Sequence, residues 1–149
     1  MALPKEKFEE IKSKIQKFID HEMVAHENDL SFNHKFADHL SFLEEKRNMV
    51  REMGLFAPQI PKEHGGLGLS LHQLGQIYEV LGKTFYGLYV FNCQAPDAGN
   101  MEILIEHGTD YQKETFFKPL VEGKVRSCFS MTEPEFAGSN PVILSLIHI

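Results

Sequence analysis

The residues best suited to chemistry lie close together near the end of the chain, between Phe129 and Ser139. Residues 125–131 alternate in a way that predicts a β-strand, and Phe129 and Met131 would then share one of its faces. Apolar side chains on one face of a strand can form the floor beneath a flat ring. Thr132 follows at once and adds a hydroxyl group that can donate or accept a hydrogen bond. The pattern therefore suits a strand that binds a planar, polar-edged molecule, which is one of two interpretations.

The turn after this strand adds two further candidates. Gly138 lets the backbone approach a ligand closely, and Ser139 supplies a compact donor for a phosphate or pantetheine group. A flavin suits such a strand and turn, because its ring carries carbonyl oxygens and N5 as acceptors along one edge. An ordinary buried strand that ends in a polar turn would show the same residue types. These residues alone leave both interpretations open.

Other reactive residues are less suited to a site. Glu133 invites the role of a base, but beside a proline in a turn it is better interpreted as a residue that holds the turn. The run Gly65–Gly68 lacks the Lys-Ser/Thr of a phosphate loop, and a tight bend between helices is the preferred interpretation. Histidine pairs spaced five apart do not share a helix face, so no metal site is predicted. Cys128 is expected to be a buried structural thiol.

Composition narrows the function classes. The 149 residues are 42% hydrophobic and 24% charged, as in ordinary globular domains, and the net charge of −6 argues against nucleic acid as a partner. No apolar run approaches the ~20 residues needed to span a bilayer. Two cysteines do not make a disulfide framework, and the N-terminus shows no secretory or organellar address. We expect an intracellular protein, cytoplasmic in a bacterium and mitochondrial or peroxisomal in a eukaryote.

Apolar spacing and end signals predict five or six helices. They begin near Pro4, Leu40, Ser70, Pro96 and Thr109, with stops at Gly54, Gly82, Gly108 and Gly123 and with Met53 facing inward. The pairs Ser70/Gln73 and Thr109/Gln112 have the spacing of capping boxes. Phe85–Cys93 predicts a buried helix, although periodicity alone would also allow a strand. With one strand at 125–131, the fold class is mainly α.

The order of short motifs along the chain resembles the acyl-CoA dehydrogenase family. Met131–Pro134 and the turn after it are similar to the family's T-E-P strand and its small-residue turn with G-S-D. Further matching stretches are G-L-F-A-P-Q-I-P at 54–61, K-E-H-G-G-L-G-L at 62–69, N-C-Q-A-P-D-A-G-N-M-E at 92–102, G-T-D-Y-Q-K at 108–113 and P-L-V-E-G-K at 119–124. The stretch at 92–102 is similar to the branch whose long-chain members can be fused to a phosphotransferase-like kinase domain.

The resemblance implies a division of the chain. Residues 1–124 would form the family's N-terminal helical domain, and residues 125–143 the start of its middle β-domain. The rest of that sheet would lie downstream, so the chain is interpreted as a fragment. Residues 144–149 back-translate to CTG TCT CTT ATA CAC ATC, which resembles a transposon end used in sequencing adaptors. They are interpreted as a non-native tail, with a genuine apolar strand as the alternative.

The resemblance also implies roles for particular residues. The positions that correspond to FAD contacts are Phe129, Met131, Thr132 and Ser139, and Gly138 is assigned to the same site. Ser139 corresponds in addition to a position near the acyl-CoA substrate. The turn departs from the family pattern, because 135–137 is longer than the usual small pair and Asn140 replaces Asp. The assignment of Ser139 therefore rests on a weaker match than that of Thr132.

By this resemblance, the whole enzyme makes a trans double bond between Cα and Cβ of an acyl-CoA thioester in fatty-acid oxidation. A carboxylate removes the α-proton while the β-hydrogen leaves as hydride to the flavin. That carboxylate would lie beyond this chain, so no catalytic residue is assigned and the chain alone is expected to be inactive. The implied partners are an electron-transfer flavoprotein and further copies of the enzyme in a dimer or tetramer. An acyl-CoA oxidase fragment and a non-catalytic helical binding module are the alternatives.

Overall fold

The computed structural model describes residues 3–27, 35–130 and 132. Its helices are α1 Lys5–Phe18, α2 Leu40–Glu52, α3 Leu71–Leu81, α4 Gly87–Val90, α5 Asp97–His107, α6 Asp110–Gln112 and α7 Lys118–Val121. Shorter helical turns are the π-helical Ile19–Met23 and Lys113–Phe117 and the 3-10 turns Val24–His26, Phe36–His39 and Lys62–His64. No strand is present among the described residues. The mainly α fold class is confirmed.

Helix α1 follows from the spacing of its apolar residues. Pro4 precedes it in an extended conformation and has no N–H group that the helix start would leave unpaired. Phe8, Ile15 and Phe18 then form a buried stripe along one side of the helix. The π-helical turn that follows extends this stripe to Met23, which is also buried. The predicted helix from Pro4 to Met23 is confirmed.

The main core is the apolar cluster that joins α1, α2, α3 and α4. Its fully buried members include Ile15, Ile19, Met23, Leu43, Val50, Ile77, Leu81, Val90 and Phe91. Burial of one such side chain contributes about 1.5–3 kcal/mol. A smaller cluster joins the loop after α2 to α5 and α7 through Ala57, Ile60, Met101, Phe117 and Leu120. Among the described residues, no helix combines the length and apolar character needed to cross a bilayer.

Gln73 in α3 has two structural roles. Its backbone N–H donates to the Ser70 hydroxyl at 3.3 Å, and its side-chain oxygen accepts from the Ser70 N–H at 3.2 Å, which confirms the predicted capping box. The same side-chain amide also pairs with the backbone of Leu3. Its Nε2 donates to the Leu3 carbonyl oxygen at 2.8 Å, and its Oε1 accepts from the Leu3 N–H at 3.1 Å. The start of α1 is thereby tied to α3.

Two further turn predictions are confirmed. The pair Thr109/Gln112 forms its capping box at the start of α6. The run Gly65–Gly68 forms a tight bend, in which Gly65 has a φ of +90°. A Cβ atom at Gly66 would lie 2.0 Å from the carbonyl oxygen of Ile60. Two backbone segments therefore approach too closely for a side chain at this point.

The predicted strand at 125–131 is not formed within its described part, residues 125–130. A strand requires a neighbouring strand for its ladder of hydrogen bonds, and the described residues contain none. Side chains of α5 bind this stretch instead, and Met131 lies outside the described residues. We refer to residues 124–130 as the post-helical segment.

Three smaller expectations are wrong. Phe85–Cys93 contains only the four-residue α4, because residues 85–86 form a turn before it and Asn92, at a φ of +56°, turns the chain out of the helix after it. Phe85 is exposed. Met53 is exposed because α2 ends before it. Cys128 is exposed as well, since no neighbouring strand covers the post-helical segment in the described part of the chain.

Candidate functional site

The residues predicted to bind a cofactor are described only in part. Phe129 and Thr132 are exposed, and 59% of Phe129 is accessible to solvent. The other predicted positions, Met131, Gly138 and Ser139, lie outside the described residues, as do Glu133 and residues 134–149. The ring of Phe129 is therefore not packed into the helical core. Both described residues are accessible to a ligand or to another part of the protein.

Asp97, the first residue of α5, binds the post-helical segment through its carboxylate. Its Oδ1 accepts hydrogen bonds from the Ser127 backbone N–H at 2.8 Å and from the Ser127 hydroxyl at 2.6 Å. Its Oδ2 accepts from Nε of Arg126 at 2.5 Å and from the side-chain amide of Gln94. The Asp97 side chain is fully buried, whereas 43% of the Arg126 side chain is exposed.

These four bonds define the chemical state of Asp97. Burial opposes ionisation, but the hydrogen bonds from Ser127 and Arg126, with the charge of Arg126, outweigh it and keep the pKa of the carboxyl below its usual value. A carboxylate has about four lone-pair sites, and four donors fill them here. Asp97 is thus an ionised anchor with no free lone pair for a substrate or a proton.

Asn100, one turn further along α5, adds a second attachment. Its Nδ2 donates to the Ser127 hydroxyl oxygen at 2.9 Å and to the Cys128 carbonyl oxygen at 3.2 Å. Two successive residues of the post-helical segment are therefore fixed to one face of α5. Beside them lies an apolar groove of about 380 Å³, whose lining includes Ile103, Leu104, Phe116 and Val125.

Asn92 joins α7 to the rest of the helical domain. It is fully buried, and its Nδ2 donates to the carbonyl oxygens of Leu120 at 3.0 Å and Val121 at 3.1 Å. These are the last two carbonyl groups of α7, and the Leu120 carbonyl oxygen also accepts from the Gly123 N–H at 3.0 Å. The Asn92 carbonyl oxygen in turn accepts from Nε2 of Gln59 at 3.0 Å. One buried amide therefore fixes the end of the helix from which the post-helical segment leaves.

Arg47 in α2 reaches the same junction from the other side. Its guanidinium donates to the carbonyl oxygens of Tyr89 at 2.5 Å and Gly123 at 3.3 Å, and its Nε lies 3.3 Å from Glu44 Oε1. Only 1% of Arg47 is exposed, and burial lowers its pKa. The Tyr89 ring lies 4.5 Å from Cζ of Arg47 and 5.1 Å from Cζ of Arg126. The aromatic ring thus connects the α2 contacts to the post-helical segment.

Sequence reasoning missed the roles of Asp97, Asn92 and Arg47. Asp97 and Ser127 are 30 residues apart, and no periodic pattern links them. A signal was present, because Asn92, Asp97 and Asn100 lie together in the short stretch 92–102. Arg47 gave no signal, since an arginine on an amphipathic helix usually faces solvent.

A wider cavity of about 870 Å³ lies at the end of α7, and its lining includes Arg51, Phe56, Gly123 and Lys124. Phe129 and Thr132, the two predicted cofactor-binding residues that the structure describes, do not line it. Arg51 in this lining donates to the Glu122 carbonyl oxygen at 3.3 Å, and its Nη1 lies 3.7 Å from Glu44 Oε2, so a carboxylate already balances part of its charge. Within residues 3–27, 35–130 and 132, no group of three or more His, Cys, Asp or Glu side chains is arranged to hold a metal ion.

Comparisons with known proteins agree with this architecture. The family model described as the acyl-CoA dehydrogenase N-terminal domain matches residues 5–124. A solved structure attributed to an acyl-CoA dehydrogenase of Mycobacterium abscessus superposes with a TM-score of 0.78 at 32% identity, over 93% of this chain and 37% of that one. The chain therefore belongs to the acyl-CoA dehydrogenase family, and residues 5–124 are its N-terminal domain.

Two curated relatives are similar to this chain over most of its length. Acyl-CoA dehydrogenase family member 10 of Mus musculus is 37% identical over 131 residues, which cover 83% of this chain. Family member 11 of Gallus gallus is 45% identical over 98 residues, or 66% of this chain. In each case the match covers 12% of the relative's own length.

Proposed function

We propose that this chain supplies the N-terminal helical domain, residues 1–124, and the start of the middle β-domain, residues 125–143, of a flavin-dependent acyl-CoA dehydrogenase. One observation carries the proposal. The domain that matches the family continues directly into a segment anchored on α5, and this segment leads to Phe129 and Thr132, which are both exposed. A segment that is fixed on one side and open on the other suits contact with a cofactor held by later parts of the protein.

The described residues fit part of an FAD site. The exposed ring of Phe129 offers an apolar face, and Thr132 offers a hydroxyl group for an acceptor on the ring edge. Met131, Gly138 and Ser139 would complete this edge, with Ser139 also near the acyl-CoA. When bound, FAD would accept the β-hydrogen of the acyl thioester as a hydride. This chain would hold and orient the ring, while the base that removes the α-proton would come from another part of the protein.

The proposed reaction is α,β-dehydrogenation of an acyl-CoA in fatty-acid oxidation, with an electron-transfer flavoprotein as acceptor and a homo-oligomer as the working form. The test is to purify the full-length protein encoded by the native gene and to record its flavin spectrum. We expect stoichiometric FAD that is bleached by acyl-CoA without oxygen and reoxidised by an electron-transfer flavoprotein. Rapid reoxidation by oxygen alone would indicate an acyl-CoA oxidase instead.

The 149-residue chain is the control in this experiment. It should bind FAD weakly or not at all, because a ring held along one edge lacks the contacts that other parts of the protein would provide. A full-length protein that binds neither FAD nor acyl-CoA would contradict the proposed function and favour a helical binding module.

A further inference from the structure

We infer that Asp97 is a positioning residue, which fixes the direction in which the chain leaves the helical domain and so places Thr132 for the cofactor. The inference rests on the proposed function for its second half, the placement of Thr132. Its first half, the anchoring of the post-helical segment, rests on the geometry of Asp97 alone.

The carboxylate is directed at the post-helical segment more than at its own helix. Three of its four hydrogen bonds come from Arg126 and Ser127, about 30 residues away, and one comes from the nearby Gln94. An aspartate that served only as the first residue of a helix would not need these distant donors. Without these donors the fully buried carboxylate would also destabilise the fold, because its charge would lack hydrogen-bond partners.

The attachment fixes direction as well as position. Asp97 holds Ser127 through both its backbone N–H and its hydroxyl, and Asn100 holds the Cys128 carbonyl oxygen at 3.2 Å. Two adjacent backbone points bound to one helix define the line on which the chain continues. Thr132 lies five residues beyond Ser127. A change in direction at Ser127 would therefore displace Thr132.

An asparagine at this position cannot replace the carboxylate. It keeps one oxygen, with two lone pairs, and presents an NH₂ group where Asp97 presents its second oxygen. If the oxygen remains on Ser127, the NH₂ group faces Nε–H of Arg126, which cannot accept a hydrogen bond. The Gln94 amide can rotate to offer its oxygen, which has no hydrogen-bond partner in the described structure. Asp97→Asn thus hardly changes the size of the side chain, but it removes the acceptor and the charge that Arg126 binds.

The first measurement uses the 149-residue chain and needs no flavin. In Asp97→Asn, the Ser127 amide should exchange its hydrogen at least about tenfold faster, because its acceptor becomes a neutral amide oxygen and the bond from Arg126 beside it is lost. Asp110→Asn is the matched control, because Asp110 is the first residue of α6 and is exposed. The control should leave Ser127 exchange unchanged. Equal exchange of Ser127 in wild type and Asp97→Asn would overturn the inference.

The second measurement uses the full-length holoenzyme. Asp97→Asn should weaken FAD binding about tenfold and change the visible circular dichroism of the flavin, while far-ultraviolet helicity is retained. Faster Ser127 exchange with unchanged FAD affinity would overturn the placement of Thr132. If wild type binds no FAD, the proposed function fails, and the exchange measurement still decides whether Asp97 is an anchor.

A third variant covers the case in which Asp97→Asn does not fold. Ser127→Ala removes the hydroxyl and keeps the backbone N–H, so Asp97 retains three of its four donors. Ser127→Ala should weaken FAD binding, and where Asp97→Asn folds, the factor should be smaller than in that variant. In a folded double variant the two effects should not add, because both act on one contact. Ser127→Ala with wild-type flavin affinity and dichroism would contradict the inference.

Discussion

In the main core, Ile15, Leu43 and Ile77 have no exposed surface, whereas 46% of Val125 and 59% of Phe129 in the post-helical segment are accessible to solvent. The first region is stabilised by apolar burial and the second by polar bonds to α5. Burial of apolar surface is non-directional, whereas a hydrogen bond requires a particular donor and acceptor at a defined distance and angle. The difference indicates that apolar packing stabilises the helices. Hydrogen bonds to α5 hold the backbone of the post-helical segment, while Val125 and Phe129 stay exposed.

The largest expected effect on stability comes from truncating an isoleucine in the main core. Ile77→Ala in the main core should lower the free energy of unfolding by about 2–5 kcal/mol, because it removes a packed side chain and leaves a cavity. Ile103→Ala on α5 is the matched control, since half of Ile103 is exposed, and it should cost no more than about 0.5 kcal/mol. Urea unfolding followed by circular dichroism measures both. Similar losses would mean that the groove beside α5 is as important to stability as the core.

The junction between the regions should be the next most sensitive point. Gly123 has a φ of +69°, and a Cβ atom there would lie 2.3 Å from a guanidinium nitrogen of Arg47. Gly123→Ala should therefore cost about 1–3 kcal/mol through backbone strain and displacement of Arg47. Gly75→Ala in α3 meets no atom within 4 Å and should instead stabilise by about 0.5–1 kcal/mol. Thermal unfolding of both variants would show opposite shifts, and a stabilised Gly123→Ala would refute the close contact.

A smaller effect, on cofactor binding, is expected just beyond the post-helical segment. In the full-length protein, Thr132→Val should weaken FAD binding by about 0.5–1.5 kcal/mol, the value of one hydrogen bond, and shift the flavin reduction potential. Glu133→Gln should leave turnover nearly unchanged, because we assign Glu133 to the turn. Flavin titration and steady-state kinetics test both variants. Loss of turnover in Glu133→Gln with FAD still bound would reverse these two assignments.

The reactivity of the two cysteines probes the main core and the post-helical segment without a substitution. Cys93 is buried in the main core, where desolvation raises the pKa of its thiol far above the ordinary value. Cys128 is exposed on the post-helical segment. We expect iodoacetamide to modify Cys128 in the native 149-residue chain and Cys93 only after unfolding, as peptide mass spectrometry would show. Modification of Cys93 under native conditions would indicate that the core opens.

Most of the helical fold could be predicted from local signals. Pro4, the Ser70/Gln73 pair and the Thr109/Gln112 pair mark helix starts by chemistry that involves only neighbouring residues, and all three are confirmed. Phe85 was misplaced because an apolar run does not reveal that residues 85–86 form a turn before α4. Local patterns identify elements, but they do not show which apolar residues the fold leaves exposed.

The contacts that organise the candidate site could not be predicted in the same way. Arg47, Asn92 and Asp97 act on residues 28 to 76 positions away, so their partners are set by tertiary packing. Each type also has a more common local role, such as a solvated charge or a helix cap. The resemblance to the family pointed to Phe129 and Thr132 as candidates. The contacts of Asp97 with the post-helical segment are seen only in the structure. The grouping of Phe129, Met131, Thr132, Gly138 and Ser139 into one site remains a prediction.

The pairing of Gln73 with Leu3 has a consequence for the order in which the chain folds during synthesis. The two residues are 70 positions apart, and α1 packs on α3. A ribosome that adds about 5–20 residues per second needs roughly 4–14 seconds to travel from one residue to the other. Throughout that interval the apolar stripe of α1 has no α3 to cover it. Nascent chains stalled before codon 73 should therefore recruit holdase chaperones, and those stalled well beyond α3 should release them.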